Sequence, residues 1–527
     1  MGENRFRGRS LAVINDFSLE ERLYLFEKTK ELKNLFREGK KEELKRFRID
    51  DYDFGVYEVF LESSTRTKES FKNAAEFHRV KISNLDVGAS SINKKESYAD
   101  TFNTLAGYNN SIFIVRSKLE GVCRWLEING KAFAKRNNLP FPPSFINAGD
   151  GKHEHPTQEL LDEFTFLEKN NWNRDSIHLA LIGDLFHGRT VHSKVHGLQV
   201  FKSVKVDLIA PPELAFPYHY VKEMEDNGFN VRIFDSIEDY LKEKYIADKW
   251  YFTRPQLERM GDDILKIADS LRAKISFRKD FMPRLPEGTV FYHPLPRHKE
   301  HPTIPTFLDS TSLNGWEEQS INGKLIRIVL LGLTSGKIGD DFHGGEKVIK
   351  SLDESFVEEV PIDISRPVKK YTEGVNPISR GIVIDHICRG EGKKEIRDHI
   401  VRIIEVMQLF GKGGEWITAS RDNPDATKGI IFRPDREALT ESQINKLAAI
   451  APGSTLNIIS GSRVVKKIRL NMPPRVYNLD SVSCKNESCI SHPSHGENIS
   501  AEFFKISENT FTCRYCEKVH TFKEIWK

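Results

Sequence analysis

Cysteine is scarce in this sequence, with six residues in 527. They are too few and too unevenly spread for a disulfide scaffold, which argues against a secreted, cross-linked chain. Long apolar runs are missing too. No stretch approaches the roughly 18 apolar residues of a membrane span, and the opening MGENRFRGRSLAVIND lacks the apolar core of a secretory signal. After Met1-Gly2, position 6 is Phe rather than the Ser or Thr of a myristoylation signal. Nor is there an excess of one charge. Lys and Arg number 79 against 76 Asp and Glu, a net +3, so no polyanion-binding surface is called for. Nucleic acid and membrane are therefore not expected partners, and the expected compartment is the cytoplasm. Internal repeats and low-complexity tracts are also lacking.

What is present is apolar material, 39% of the residues, enough for several folded cores and more than one core can use. Residues 18–37 carry apolar positions three and four apart and predict a helix. GVYEVFLE (55–62) predicts a strand, followed by SSTRT and a helix through ESFKNAAEFHR. The same strand-to-helix switch recurs from HLALIGDL (178–185) into GRTVHSKVHGLQVF. It recurs again from KVDLIAPP (205–212) into LAFPYHYVKEMEDNG, with NVRIFDS (230–236) following. Such alternation predicts βαβ units and mostly parallel sheets, one domain over 1–150 and a second over 151–344. The polar, weakly periodic stretch 345–376 reads as a linker. An α+β segment follows over 377–474, with GIVIDHICRG, a helix at 393–410, GIIFR, a helix at 440–449 and STLNIISG. The remainder, 475–527, is short, polar and rich in predicted strands.

That last stretch holds four of the six cysteines, Cys484 and Cys489 in one pair and Cys513 and Cys516 in another. Two close pairs can bring four soft thiolates to one tetrahedral ion, and zinc is the best match. With four protein ligands no coordination site stays open, so the expected role is structural, holding an interface. Two unconnected sets of buried thiols and a rubredoxin-like iron–sulfur centre are the competing readings. A zinc ribbon of a nucleic-acid binder would leave the first 335 residues unexplained.

Polar residues gather beyond the predicted strand ends, where parallel-sheet proteins place their sites. Ser63-Ser64-Thr65-Arg66-Thr67 opens a helix, whose free N–H groups with three hydroxyls and a guanidinium would cradle an anion. An ordinary Ser/Thr cap is the bland alternative. Ser91-Ile-Asn-Lys94-Lys95-Glu96-Ser97 reads as a charged loop, which on its own is more often solvated surface. Arg116 follows the apolar run SIFIV. His155 and Gln158 follow a glycine-rich turn and can polarise a carbonyl, although a lone histidine is more often structural. Arg189 opens a helix after Gly183-Asp184, without the G-x-G-x-x-G of a dinucleotide site. Arg254 and Gln256 lie past another strand, and His293-Pro294-Leu295-Pro296-Arg297 past GTVFY.

Taken together, STRT, HPTQ and HPLPR resemble the aspartate carbamoyltransferase family over nearly the whole chain. The resemblance implies two parallel-sheet α/β domains of the carbamoyltransferase type, an α+β allosteric domain and a small β-rich zinc domain. It implies transfer of the carbamoyl group of carbamoyl phosphate to L-aspartate, in de novo pyrimidine biosynthesis, without an organic cofactor. By resemblance, Ser64, Thr65, Arg66 and Thr67 bind the phosphate. Thr67, Arg116 and His155 contact the carbamoyl oxygen, and Gln158 fixes the carbamoyl group. Ser91 and Lys94 come from a neighbouring subunit. Arg189, Arg254 and Gln256 hold the aspartate carboxylates, and Pro294 and Leu295 line the site. Ornithine carbamoyltransferases share the phosphate logic, but their second substrate carries a cationic amine that this arginine set does not suit. A non-catalytic scaffold or nucleotide sensor with the same fold is the alternative from another class.

From Arg380 onward the chain is similar to the regulatory subunit of that family, on RGIVIDHI, VVKKIR, MPPR and the cysteine tail with CISH and CRYCEK. The resemblance implies one structural Zn2+ per chain and CTP, UTP or ATP as effectors, with Asp385, His386 and Lys467 at nucleotide-contacting positions. It also implies a homo-oligomer of catalytic trimers and regulatory dimers, six fused chains in all. Two departures stand out: Lys95 replaces the glycine of KGES in the substrate loop, and Phe432 falls where the family has a base-recognising lysine.

Overall fold

The computed structural model describes residues 4–85, 96–256, 266–345, 356–362, 377–419 and 425–526. They fall into two units, the first made of Met1–Lys347 with Ser488–Ile490 and Ser494–Asn498, the second of the rest. In unit 1, runs such as Ile112–Val115 and Leu179–Ile182 are buried throughout. Strands apolar on both sides belong in parallel sheets covered on both faces, and unit 1 has two. The first comprises β1 (Gly55–Phe60), β2 (Lys81–Asn84), β3 (Asn110–Ser117) and β4 (Ser144–Asp150), in the order β2-β1-β3-β4. The second comprises β5 (Ser176–Ile182), β6 (Ser203–Ile209), β7 (Asn230–Phe234), β8 (Lys249–Phe252) and β9 (Val290–Tyr292), ordered β7-β6-β5-β8-β9. All pairings in both are parallel, as the strand–helix alternation predicts. Strand order reverses at β1/β3 in one sheet and at β5/β8 in the other. Crevices open at the carboxyl ends of such switch points.

The helix predicted over 18–37 forms as Leu19–Arg37. Ser18 and Glu21 cap it reciprocally, the hydroxyl accepting from Glu21 N and the carboxylate from Ser18 N. Two other helices hold the unit together. Pro156–Lys169 packs against Trp316–Thr334, and the latter also packs on Thr65–His78 and Leu19–Arg37. The Pro156 helix is buried on nearly every side, including Glu159, Asp162 and Glu163. Buried carboxylates need partners, because unpaired charge in a low-dielectric interior is costly. Glu163 receives Arg22 Nη1 at 2.8 Å, and Lys194 Nζ donates to Glu159 and Asp162 at 2.8 Å each. Lys33 Nζ reaches Glu168 at 2.6 Å at the far end of the helix.

The segment GRTVHSKVHGLQVF, expected as one helix, is instead two four-residue turns, Arg189–His192 and Lys194–Gly197, running into a 3₁₀ turn. The break sends Lys194 inward to its two carboxylates. Gly197 allows this approach, since a Cβ there would lie 2.0 Å from Glu159 Oε1.

Unit 2 carries a six-stranded antiparallel sheet of β10 (Val357–Glu359), β11 (Gly381–Ile387), β12 (Gly414–Ala419), β13 (Thr427–Arg433), β14 (Thr455–Ser460) and β15 (Arg463–Leu470). Its order is β10-β15-β14-β11-β13-β12. Helix Lys393–Met407 buries Ile396, Ile400, Ile403 and Met407, one stripe at helical spacing, and packs on β11, β12 and β13. β14 and β15 form a hairpin through Gly461 and Ser462, both at positive φ as a primed two-residue turn requires. β10 lies within the stretch 345–376 read as a linker, of which residues 345 and 356–362 are described. Val357–Glu359 is an edge strand, Val357 opposite Leu470. A smaller sheet of β16 (Arg475–Val476), β17 (Phe503–Lys505), β18 (Thr510–Cys513) and β19 (Val519–Thr521) follows. Among the described residues no helix is long and apolar enough to cross a membrane.

Phe113 is fully buried on β3, against Phe102, Phe145 and Tyr57. Phe113→Ala is expected to destabilise unit 1 by about 3–5 kcal/mol. The check is denaturant unfolding followed by tryptophan fluorescence, with the half-exposed Phe36→Ala as a control expected to shift the midpoint far less.

Candidate active site

Beyond β1 the chain passes Glu62 and Ser63 and enters the Thr65 helix. Ser64 stands at its N-cap without a side-chain capping bond, and the first-turn amides lack intrahelical acceptors. Such an end can receive an anion. Arg66 has its guanidinium pKa lowered by burial, and charge placed at such a site favours a bound anion as counter-ion.

Arg116 leaves the end of β3 and donates through Nη1 to Ala148 O at 3.0 Å, with Nη2 3.2 Å from Glu62. Arg189, from the turn after β5, donates to Gly151 O at 3.0 Å and to Glu62 Oε2 at 2.9 Å. Glu62 thus lies between two guanidinium groups. Gly149, at φ +109°, passes beneath them, and a Cβ there would come within 2.9 Å of Arg116 Nη1 and 3.0 Å of Arg189 Cζ.

His155 caps the Pro156 helix, with proline in the position where a missing N–H does least harm. Its own N–H donates to Ser193 Oγ at 3.2 Å, and Nδ1 stands 3.4 Å from Thr157 Oγ1. Burial, with Arg116, Arg189 and Arg327 nearby, holds the imidazole well below the usual histidine pKa. It is neutral at pH 7. Gln158, one turn on, donates to Asp162 Oδ1 at 3.0 Å.

The second sheet supplies the opposite wall. Asp184 after β5 is fully buried and accepts from Gln256 N at 2.9 Å, while Gln256 Nε2 reaches His187 O at 3.4 Å. Gly183, at φ +116°, lets this loop close on Thr253, whose carbonyl oxygen would be 2.4 Å from a Cβ. After β9, His293 N donates to Gln319 Oε1 at 2.9 Å, and Leu295 N donates to His293 Nδ1 at 2.7 Å. Burial and then Arg297, Arg66 and Arg254 push the His293 pKa down to about 3, which keeps Nδ1 free to accept.

These elements enclose a cavity of about 480 Å3 within unit 1. Ser64, Thr65, Arg66, Thr67, Arg116, His155, Gln158, Arg189, Arg254, Gln256, Pro294 and Leu295 all line it. Ser91 and Lys94, with Lys95, lie outside the described residues. Arg297 of the HPLPR run does not line the cavity. It pairs with Asp309 at 2.5 Å. Sequence reasoning missed Glu62, His187, Gln319 and Arg327, which also line it. Glu62 could have been found, as the residue just before SSTRT at a strand end. Gln319 and Arg327 sit in an apolar-rich helix far along the chain, and nothing local marks them. The lining has five arginines and one acid, a composition suited to two anionic ligands at once.

In unit 2, Asp385 and His386 end β11, and Asp385 pairs with Lys428 Nζ at 2.7 Å. Lys428 was not among the predicted residues. Lys467 stands across β14 from Val383 and lies near enough for its charge to bear on His386. Phe432 pairs with Gly414 and its ring covers that glycine. The Sγ atoms of Cys484, Cys489, Cys513 and Cys516 lie within 4.8 Å of one another, buried and free of disulfides. Cys484 and Cys516 are 3.7 Å apart, close to the ~3.8 Å edge of a tetrahedron with ~2.3 Å metal–sulfur bonds. The four fit a metal ion. His520 Nε2, 3.3 Å from Cys484 Sγ, adds a hydrogen bond to one of them.

Three family models match the chain. They are the aspartate/ornithine carbamoyltransferase carbamoyl-P binding domain over residues 9–168, and the allosteric and metal-binding domains of the aspartate carbamoyltransferase regulatory chain over 373–471 and 474–526. Protein PyrBI of Treponema denticola is 59% identical over 529 residues, and that of Thermotoga maritima 52% over 528, each match covering 99% of both chains. The aspartate carbamoyltransferase catalytic subunit of Methanosarcina barkeri is 32% identical, covering 63% of this chain and 99% of its own. Among solved structures, aspartate transcarbamoylase of Trypanosoma cruzi in complex with N-(phosphonacetyl)-L-aspartic acid aligns with a TM-score of 0.52 and 28% identity. That alignment covers 63% of this chain and 97% of the other.

Adding a methyl group under the two guanidiniums tests the electrostatic reading of the cavity. Gly149→Ala is expected to displace Arg116 and Arg189 and to weaken binding of N-(phosphonacetyl)-L-aspartic acid, the ligand of the T. cruzi structure, roughly tenfold or more, the cost of one or two charge-assisted hydrogen bonds. Isothermal titration with that ligand measures it, and unchanged affinity would mean the two arginines do not face the bound anion.

Proposed function

Since the chain belongs to the aspartate carbamoyltransferases whose catalytic and regulatory chains are fused in one polypeptide, we propose that the unit 1 cavity binds carbamoyl phosphate and L-aspartate. One observation carries this reading: every described residue that the resemblance assigns to the site lines a single arginine-rich cavity. Solved T. cruzi relatives hold carbamoyl phosphate with aspartate, and carbamoyl aspartate with phosphate, at 27% and 26% identity and a TM-score of 0.52 each.

The phosphate sits at the helix N-terminus with Ser64, Thr65, Arg66 and Thr67, and Lys94 and Ser91 of a neighbouring copy complete its cradle. Arg189, Arg254 and Gln256 take the two carboxylates of aspartate. The amine then lies against the planar carbamoyl carbon. As the C–N bond forms, charge grows on the carbamoyl oxygen, and Thr67, Arg116 and a ring N–H of His155 donate to it. A neutral imidazole suits this role, because it offers a hydrogen bond without giving up a proton. The C–O bond to phosphate then breaks. The amine proton passes to the departing phosphate, which Arg66 holds, so no dedicated protein base is required. Bringing two anions into one cavity accounts for much of the rate gain, and the five arginines offset their repulsion.

In unit 2, Asp385, His386 and Lys467, joined by Lys428, are the candidate nucleotide contacts, with CTP, UTP or ATP as the effector class. The four cysteines would hold a structural Zn2+. Catalytic trimers and regulatory dimers, six chains in all, are the assembly this reading carries.

The direct test is formation of N-carbamoyl-L-aspartate from the two substrates by purified, zinc-loaded protein, with and without nucleotide. Turnover is expected. His155→Ala should lower kcat about 10²–10³-fold, and Arg254→Ala should lower kcat/KM for aspartate about 10–10²-fold. No product from the zinc-loaded protein would sink the proposal. Zinc removal makes a separate prediction. A strong chelator should release one Zn2+ per chain and expose four reactive thiols, because metal binding supplies folding free energy to so small a domain. Thiol titration beside metal analysis reads both.

A further inference from the structure

Asp162 does not itself line the cavity, yet it holds two residues that do. It is fully buried on the Pro156 helix. Its Oδ1 accepts from Gln158 Nε2 at 3.0 Å and from Gln319 Nε2 at 2.6 Å. Its Oδ2 accepts from Lys194 Nζ at 2.8 Å, and the same ammonium reaches Glu159 at 2.8 Å. Burial works against the lysine charge, but Asp162 and Glu159 outweigh it and keep Lys194 protonated.

A carboxylate only accepts, so it dictates which way each glutamine amide must face. Gln158 has to turn its NH2 to Asp162, which leaves its carbonyl oxygen for the cavity it lines. Gln319 has to do the same, and its carbonyl oxygen is then the acceptor for His293 N at 2.9 Å. His293 in turn accepts Leu295 N at 2.7 Å and so shapes the turn that forms the far wall. We infer that Asp162 is a positioning residue for the carbamoyl group: it fixes Gln158 as an acceptor for the carbamoyl NH2 and, through Gln319, sets the His293–Leu295 turn on the other side. The inference rests on the reading of the cavity given above. An ester or acid lacking that NH2 would leave the Gln158 oxygen unpaired, so the arrangement selects an amide-bearing phosphate.

The experiment compares Asp162→Asn with Glu163→Gln, its equally buried neighbour. Glu163 pairs with Arg22 and bonds to no cavity residue. Steady-state kinetics give kcat/KM for carbamoyl phosphate, and inhibition by inorganic phosphate gives an independent measure of the phosphate cradle. Asp162→Asn can present an amide NH2 to Gln158 and let it flip. It is expected to lower kcat/KM for carbamoyl phosphate about 10–10²-fold, with the phosphate inhibition constant within about twofold of the parent. Glu163→Gln should leave both values near the parent and affect thermal stability alone. The inference is overturned if Asp162→Asn keeps kcat/KM, if phosphate affinity falls in step, or if Glu163→Gln loses as much activity. Should Asp162→Asn not fold, Gln319→Met leaves Asp162 and Lys194 in place. It should then lower kcat/KM severalfold with phosphate inhibition retained, and full activity in it counts against the inference. Gln158→Ala separates the two levels. If it is fully active, the reading of the cavity fails at that residue. If it is impaired while Asp162→Asn is not, only the role of Asp162 fails.

Discussion

Five guanidinium groups around one cavity repel one another, and much of unit 1 is arranged to keep them there. At an effective dielectric of about 20, two such charges 8 Å apart cost about 2 kcal/mol, and several pairs act at once. Glu62 offsets part of this by lying between Arg116 and Arg189. Backbone carbonyls at Ala148 and Gly151 take further N–H groups. Glycines 149 and 183 clear the space that close approach demands. The result is a cavity whose positive charge is fixed by covalent and packing constraints before any ligand arrives. An anion entering it meets dipoles already aimed, so little reorganisation is needed.

Behind the arginines lies a second polar layer of opposite character. Glu159, Asp162, Glu163 and Glu168 follow one another along the Pro156 helix and are matched by Lys194, Arg22 and Lys33. Buried pairs of this kind contribute little net stability compared with a well-packed apolar core, though removing one partner is costly. Their value is directional. Each fixes its partner in one orientation, and Asp162 also fixes Gln158 and Gln319, both of which line the cavity.

The parts legible in the sequence share one property, that their meaning is local. SSTRT shows the end of a strand and the start of a helix within five residues. The parallel sheets follow from apolar runs alternating with amphipathic helices, and the cysteine pairs from spacing alone. What was not legible depends on residues distant in the chain. Gln319 acquires its part only because the Trp316 helix packs against the Pro156 helix, 157 positions away at Asp162. Arg327 reads as an interruption in an apolar helix until its Nη1 is seen 2.8 Å from Ser70 Oγ at the cavity. β10 is too short for alternation to register, and only Leu470 opposite Val357 reveals it. The break at Ser193 follows from the pull of two buried acids on Lys194, which no propensity encodes.

The neutral imidazole of His155 bears on how the site meets acid. A histidine ordinarily changes charge between about pH 5 and 8. Here burial, with three guanidiniums nearby, moves that change well below its ordinary range. Mild acidification of the surroundings would leave this ring neutral, so a hydrogen bond donated by it would not change character as protons accumulate.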